Sequence, residues 1–254
     1  MIQINSIYKS FGDRTVLNDI NFTFENGKTN LIIGRSGSGK TVLIKCLVGL
    51  LTPEKGEVLY DGRNLLSMSK DEKKKLRREM GMIFQSAALF DSLSVLENVM
   101  FPLDMFSSMT YRERVKRAQF CLDRVNLIDA QKKYPGEISG GMQKRVAIAR
   151  AIALQPQYLF CDEPNSGLDP KTSLVIDELV HSITTEYNMT TIINTHDMNS
   201  VLGIGDSILY IYEGNKEWEG TKDDVMTSTN ERLNDFIFAS DLLKRVKEEG
   251  LATK

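Results

Sequence analysis

Eight consecutive residues in the N-terminal part of the chain have the types and spacing that bind phosphate. They follow the pattern GxxxxGK[ST], the Walker A motif, with the residues Gly34, Arg35, Ser36, Gly37, Ser38, Gly39, Lys40 and Thr41. Glycines let a backbone curl until successive N–H groups point at an anion, and a following helix adds the positive end of its dipole. Lys40 is therefore expected to provide charge for the β- and γ-phosphates, and the Thr41 hydroxyl a ligand for Mg²⁺.

The alternative interpretation of this segment is a glycine-rich turn that contains a lysine by chance. The run at residues 29–33 predicts a buried strand immediately before the loop, and residues 41–50 have a helical pattern. Because a phosphate loop requires a strand before it and a helix after it, this context favours phosphate binding.

Two adjacent carboxylates, Asp162 and Glu163, end a second apolar run at residues 158–161 and match the Walker B motif. A buried strand would deliver both to the carboxyl edge of a sheet, where open α/β folds bind ligands. There Asp162 could hold Mg²⁺ directly or through water, and Glu163 could act as a general base towards an attacking water. The alternative is a strand end with a solvated acidic pair.

A second glycine-rich turn, with the sequence ISGGM at residues 138–142, opens a helical run at residues 143–154. Its functional residues would be Ser139, Gly140, Gly141 and Met142. Ser139 could simply cap the helix, because serine is a good N-cap residue. Since the chain already contains one phosphate loop, the functional interpretation is that this turn serves a nucleotide bound by another copy of the chain.

The combination of these motifs resembles the ABC ATPase family, whose signature sequence usually reads LSGGQ. Other family elements follow in order, and the resemblance gives each a role. Gln85 would sense Mg²⁺ and connect to a membrane subunit, Asp169 would belong to a loop at the dimer interface, and His196 would contact the γ-phosphate. Phe11 would stack on adenine, with Val16 as a second contact.

Each of these residues also has a plainer interpretation. Gln85 could be an amide on the surface without a role in binding. The loop that contains Asp169 could be a simple turn closed by Pro170, and His196 could be a structural residue. Phe11 could be a core aromatic residue.

The resemblance covers residues 1 to about 220 and implies ATP and Mg²⁺ as cofactors. The implied catalytic residues are Lys40, Glu163 and His196, and the implied metal ligands are Thr41, Gln85 and Asp162. It also implies a homodimer in which the ISGGM turn of one copy closes over the nucleotide of the other.

Alternating strand and helix patterns predict an α/β protein with a largely parallel sheet covered on both faces. The resemblance refines this to a P-loop NTPase fold of the ABC nucleotide-binding type. It would comprise an antiparallel β-subdomain, a RecA-like core and a helical subdomain inserted at about residues 86–136. A charged, helix-prone tail at residues 221–254 would either stabilise the dimer or pack on its own subunit.

Composition restricts the partners. The chain has 254 residues and a formal net charge of −2, so no overall basic field favours a nucleic-acid partner. There is no signal-peptide pattern, and no apolar run approaches the roughly 18 residues of a membrane-spanning helix. The expected location is therefore peripheral, on the cytoplasmic face of the inner membrane, with residues 85–103 (Gln85 to Leu103) contacting a permease.

The sequence after Gln85, the SGGM variant and the pattern at residues 230–236 resemble Mla-type systems, which move phospholipids with MCE-domain partners. Asn165 departs from that pattern, since threonine or phenylalanine is more usual there. The first alternative is a glycine-betaine or amino-acid importer ATPase, because betaine systems also use SGGM. Those often carry a C-terminal regulatory domain, for which this chain is expected to have no room.

Two further classes fit the sequence less well. Non-transport ABC proteins carry two ATPase units or long coiled coils, and neither pattern is present. A regulatory module that binds nucleotide without hydrolysing it would be expected to lack the residues at the positions of Glu163 or His196. Both residues are present in this chain.

Overall fold

The computed structural model describes residues 1–239, 243–245 and 247. Most of the last part of the predicted charged tail, residues 240–254, lies outside the described residues. The chain forms two compact units, one from residues 1–68 with 192–254 and the other from residues 69–191.

In the described part of the first unit, the elements with defined bounds are two groups of strands and four short helices. The strands are β1 (Ile2–Phe11), β2 (Arg14–Phe24), β3 (Thr29–Ile33), β4 (Lys55–Tyr60), β5 (Arg63–Asn64), β9 (Ser207–Tyr212) and β10 (Asn215–Gly220). Strand β8 (Thr190–Thr195) begins at the last two residues of the second unit and continues into the first. The helices are α1 (Lys40–Leu47), α7 (Met198–Ile204), α8 (Lys222–Thr227) and α9 (Glu231–Ile237).

Strands β2, β1, β4 and β5 pair in that order as an antiparallel sheet. The apolar residues of β1 explain its position in the core, because Ile2, Ile4 and Ile7 are all buried. Phe24 of β2 lies opposite Ile2 and is buried as well. This sheet is the antiparallel β-subdomain that the family resemblance implied.

The other strands of the first unit follow the order β10, β9, β3, β8. All five residues of β3 are buried, as expected for a strand covered on both faces. Strand β9 runs parallel to β3, and β10 returns antiparallel to β9 after a turn at residues 213–214. Strand β3 therefore ends inside the unit and leads directly into the loop before α1.

The second unit is mainly helical. Its elements are α2 (Lys70–Arg78), β6 (Met80–Ile83), α3 (Val95–Phe106), α4 (Tyr111–Arg124), α5 (Gly140–Ala151), β7 (Tyr158–Asp162) and α6 (Pro170–Glu186), with short 3₁₀ turns at Ile128–Ala130 and Pro135–Glu137. Reciprocal capping boxes fix the starts of three helices: Ser69 with Glu72, Ser94 with Glu97, and Thr110 with Glu113. The predicted helical segment at residues 86–136 thus contains α3 and α4.

The sequence patterns predicted no element at residues 52–85, where β4, β5, α2 and β6 occur. In α2 only Leu76 is buried, so the helix has no apolar periodicity that a pattern could detect. Within the described residues, no helix combines the length and hydrophobicity that crossing a membrane requires.

Candidate functional site

The predicted phosphate loop, residues 34–41, connects β3 to α1 in the first unit. Two of its glycines have backbone angles and surroundings that exclude any side chain. Gly34 has φ 152°, and a β-carbon there would lie 2.3 Å from the Ile211 carbonyl oxygen. Gly39, at the N-terminus of α1, has φ 110°, and its β-carbon would lie 2.8 Å from the Val16 carbonyl oxygen. The tight curl therefore depends on these two positions.

The side chain of Lys40 lies inside this curl. Lys40 is buried, and its Nζ donates hydrogen bonds to the carbonyl oxygens of Gly34 at 2.8 Å and Arg35 at 3.1 Å. The hydroxyl of Ser38 is buried and has no hydrogen-bond partner among the described residues. A lysine ammonium, a spare hydroxyl donor and the N-terminus of α1 thus occupy one small region. This donor set fits the oxygens of a phosphate.

A cavity of about 370 Å³ adjoins the loop. Its lining residues are Arg14, Thr15, Val16, Arg35, Ser36, Gly37, Ser38, Ile211, Tyr212, Glu213 and Gly214. Of the two predicted adenine contacts, Val16 lines this cavity and Phe11 does not. Phe11 ends β1 with 49% of its surface exposed, and Lys9 Nζ lies 5.2 Å from its ring centroid.

Two more predicted residues of the first unit, Thr41 and His196, are exposed. The Thr41 hydroxyl accepts a hydrogen bond of 3.3 Å from the side-chain amide of Asn194, near the end of β8. His196 follows β8 by one residue, in the turn that leads to α7. The carboxyl end of β8 is therefore linked to the phosphate loop through Asn194, a contact that the sequence did not predict.

In the second unit, strand pairing brings Gln85 and Glu163 together. Strands β6 and β7 are parallel, with Ile83 opposite Cys161, so residues 85 and 163 emerge at the same edge two positions later. Gln85 Nε2 donates to Glu163 Oε2 at 3.1 Å and to the Ser166 hydroxyl at 3.0 Å. Glu163 has φ 48°, a left-handed conformation that is uncommon for glutamate. The predicted Mg²⁺-sensing amide and the predicted general base are thus direct neighbours.

The ISGGM turn forms the N-terminus of α5, and Ser139 is its N-cap. The Ser139 hydroxyl accepts from the Met142 amide at 3.3 Å, which is the plainer of the two roles predicted for it. Gly140 is exposed, and a β-carbon at Gly141 would lie 2.8 Å from Thr172 Cγ2 of α6. The role of this turn towards a nucleotide stays a prediction.

Asp169 is the N-cap of α6. Its carboxylate accepts from the Thr172 backbone amide at 3.0 Å and from the Thr172 hydroxyl at 2.5 Å. The hydrogen bond from this hydroxyl lowers the pKa of Asp169, so the carboxylate is held in its ionised form. Asn165, the unusual residue of the preceding loop, donates to the buried carboxylate of Asp177 at 2.6 Å.

Two cations of α5 hold the segment at residues 85–88. Buried Lys144 donates to the Gln85 carbonyl oxygen, and Arg150 donates to those of Ala87 and Ala88 at 2.7 Å each. Both alanines have positive φ, 61° and 48°, so the guanidinium stabilises a strained backbone. Burial lowers the pKa of Lys144, and the nearby charge of Glu163 opposes that shift. Sequence reasoning missed both contacts because each joins residues about 60 positions apart.

The predicted metal ligands Thr41, Gln85 and Asp162 offer hydroxyl, amide and carboxylate oxygens, which is the donor chemistry that Mg²⁺ prefers. Thr41 belongs to the first unit, whereas Gln85 and Asp162 belong to the second. A joint role of these three residues in one magnesium site stays a prediction.

Residues 17–166 match the ABC transporter family, and the chain belongs to that family. The chain is an ATP-binding subunit of this class, and its membership confirms the predicted fold class and the predicted ATPase type.

Three of the similar relatives carry different names. The chain is 36% identical over 237 residues to the intermembrane phospholipid transport system ATP-binding protein MlaF of Haemophilus influenzae, covering 93% of this chain and 90% of that protein. It is 34% identical over its full length to the methionine import ATP-binding protein MetN of Campylobacter jejuni, 80% of which is covered. It is 35% identical to the "Probable ribonucleotide transport ATP-binding protein mkl" of Mycobacterium tuberculosis, with 93% of this chain covered. The chain spans 66% of the length of this mycobacterial protein.

Among solved structures, the dimeric ATP-binding cassette MJ0796 in a post-hydrolysis state with ADP and phosphate is similar. Its TM-score is 0.79 at 34% identity, with 87% of this chain and 99% of that chain covered. The resemblance to Mla-type ATPases that the sequence analysis stated is therefore confirmed. The relatives are named for different transported substrates.

We expect Lys144→Met to slow ATP hydrolysis while leaving ATP binding intact. Methionine keeps the length and apolar volume of the stem but removes the donor to Gln85 and the charge near Glu163. Since a charged hydrogen bond contributes about 1.5–3 kcal/mol, kcat should fall about tenfold or more, with KM within about twofold. Steady-state ATPase kinetics measures both, and exposed Lys116→Met on α4 is the control. A kcat equal to that of the wild-type protein would contradict the role of Lys144.

Proposed function

We propose that this protein binds and hydrolyses ATP as one subunit of an ABC transporter dimer. The observation that carries the proposal is the phosphate loop, in which Lys40, the Ser38 hydroxyl and the start of α1 form one site for an anion. The triphosphate would lie in this loop, with Mg²⁺ on Thr41 and Asp162 and adenine near Phe11 and Val16.

Hydrolysis would use the neighbouring pair Gln85 and Glu163. The Glu163 carboxylate can accept a proton from water, and the 3.1 Å hydrogen bond from Gln85 fixes its orientation. Gln85 would also report the presence of Mg²⁺, and His196 would stabilise the transferred charge. Phosphoryl transfer needs positioning and charge neutralisation more than covalent chemistry, and these residues supply both.

The active species would be a homodimer with composite sites. Ser139 to Met142 of one copy would cover the γ-phosphate bound by the other, and the loop with Asp169 would lie at the dimer interface. The dimeric cassette with ADP and phosphate, which shares 34% of its sequence with this chain, supports this arrangement.

Coupling to a permease would proceed through residues 85–103, at the cytoplasmic face of the inner membrane. Lys144 and Arg150 attach the start of that segment to α5, whose N-terminus is Ser139. Closure of the dimer on Ser139 would therefore be transmitted along α5 to residues 85–88. The helix is a continuous rigid element, which is what such transmission requires.

The transported substrate that we propose is phospholipid, with an MCE-domain protein in the complex. Support comes from the sequence after Gln85, from the SGGM variant and from the phospholipid-transport relative, which aligns over nearly its whole length. The second candidate is import of an amino acid, because the methionine import relative aligns with the full length of this chain.

Purification of the tagged chain from its own cells in detergent separates these two candidates. We expect a permease and an MCE-domain protein to co-purify, as identified by mass spectrometry. Co-purification of a periplasmic solute-binding protein, without an MCE-domain protein, would contradict phospholipid transport and leave the ATPase proposal intact.

We expect Glu163→Gln to retain ATP and to accumulate as a closed dimer. Glutamine preserves the size of the side chain and an oxygen for Gln85, but it cannot accept the proton from water. General-base catalysis contributes about 10²–10⁴-fold, so turnover should fall by that factor. Light scattering with and without ATP measures the dimer, and exposed Glu178→Gln on α6 is the control. Undiminished turnover would exclude Glu163 as the base.

A further inference from the structure

Helix α2 carries five cationic side chains on one face. Lys70, Lys73, Lys74, Arg77 and Arg78 follow the spacing i, i+3, i+4, i+7, i+8, which places them along a single stripe of an α-helix. Leu76 is the only buried residue of the helix. The stripe, named here the basic stripe, is therefore a surface feature.

The basic stripe lines a groove of about 530 Å³ together with Asp71 and Phe106. The Arg78 guanidinium lies 6.0 Å from the Phe106 ring centroid. Within the lining there are five positive charges and one carboxylate, whereas the chain as a whole has a net charge of −2. The groove is thus a local concentration of positive charge with an apolar residue at its side.

No anionic group pairs with these cations within the part of the chain that the structure describes. None of the five forms an ion pair or a side-chain hydrogen bond there. Like charges three and four residues apart on a helix repel and destabilise it, and Lys70 also lies at the positive end of the helix dipole. An anion bound in the groove would relieve both effects.

The residues next to the groove are apolar and exposed. Helix α3 ends at Phe106, and the side chains around this end are exposed by 59% for Met105, 43% for Phe106, 41% for Met109 and 68% for Tyr111. Exposed apolar side chains beside a row of cations are the combination found in surfaces that lie on a membrane, where cations contact headgroup phosphates and apolar groups enter the interface. An acidic protein segment would match the cations but would leave these apolar side chains without a function.

We propose that the basic stripe and the end of α3 bind the surface of an anionic phospholipid membrane. The cations contact lipid phosphates, and Phe106 with its neighbours enters the headgroup region. This surface would orient the subunit at the membrane independently of a permease. The proposal does not depend on the ATP chemistry above, because none of these residues belongs to the nucleotide site.

Flotation of the full chain with vesicles tests the proposal. The vesicles are phosphatidylcholine alone or with roughly 30% phosphatidylglycerol, at low salt and at about 0.5 M salt, where charge interactions are screened. The variant reverses two charges of the stripe, Lys74→Glu with Arg77→Glu. The control reverses two exposed charges beside the start of α3, at the opposite end of that helix from Phe106: Lys132→Glu with Lys133→Glu.

We expect the wild-type protein and the control to float with the anionic vesicles at low salt only, and the stripe variant to bind at least about tenfold more weakly. Phe106→Ser should also weaken binding to the vesicles, because the proposal places the apolar ring of Phe106 in the headgroup region. Equal binding of the stripe variant and the wild-type protein, or no preference for phosphatidylglycerol, would overturn the proposal. If Phe106→Ser bound the vesicles as tightly as the wild-type protein, the cations alone would account for binding, and the proposed entry of the apolar side chains into the headgroup region would be overturned. Circular dichroism and ATP affinity, measured on every variant, separate this result from misfolding and from failure of the nucleotide site.

Discussion

The position of the Lys40 ammonium inside its own loop is the constraint on which the proposed site depends. Two backbone carbonyl oxygens hold it, and Gly34 and Gly39 permit the curl that brings those carbonyls inward. Strand β3 fixes one end of the loop in a buried sheet, and α1 fixes the other. A positive charge is thus maintained at the N-terminus of a helix, where an anion is already favoured, and little reorganisation is needed when a phosphate binds.

A comparable constraint operates in the second unit, where α5 connects two functional segments. Its N-terminus is the Ser139 turn, and its buried Lys144 and Arg150 hold residues 85–88 beside Glu163. The parallel register of β6 and β7 sets the same geometry from the sheet side. Because two independent elements determine where Gln85 and Glu163 lie, the uncommon backbone conformations of Glu163, Ala87 and Ala88 can be maintained.

The sequence predicted much of the fold, for physical reasons that differ between elements. Buried strands such as β3 and β7 are short apolar runs beside glycine or acidic residues, so pattern alone located them. Helix α2 escaped prediction because its single buried residue, Leu76, leaves no periodicity. The candidate loops were found from local motifs, whereas the contacts of Lys144, Arg150 and Asn194 were not. Those contacts join residues far apart in sequence, and only the fold brings them together.

The most direct test of the account is isothermal titration calorimetry of ATP with Mg²⁺ against the wild-type protein and Lys40→Ala. Because Lys40 contributes charge-assisted hydrogen bonds of about 1.5–3 kcal/mol, its loss should weaken ATP binding about 10- to 100-fold. The exposed neighbour Lys45→Ala, on the same helix, should bind ATP like the wild-type protein. ATP affinity of Lys40→Ala within about twofold of the wild-type value would contradict the proposed phosphate site.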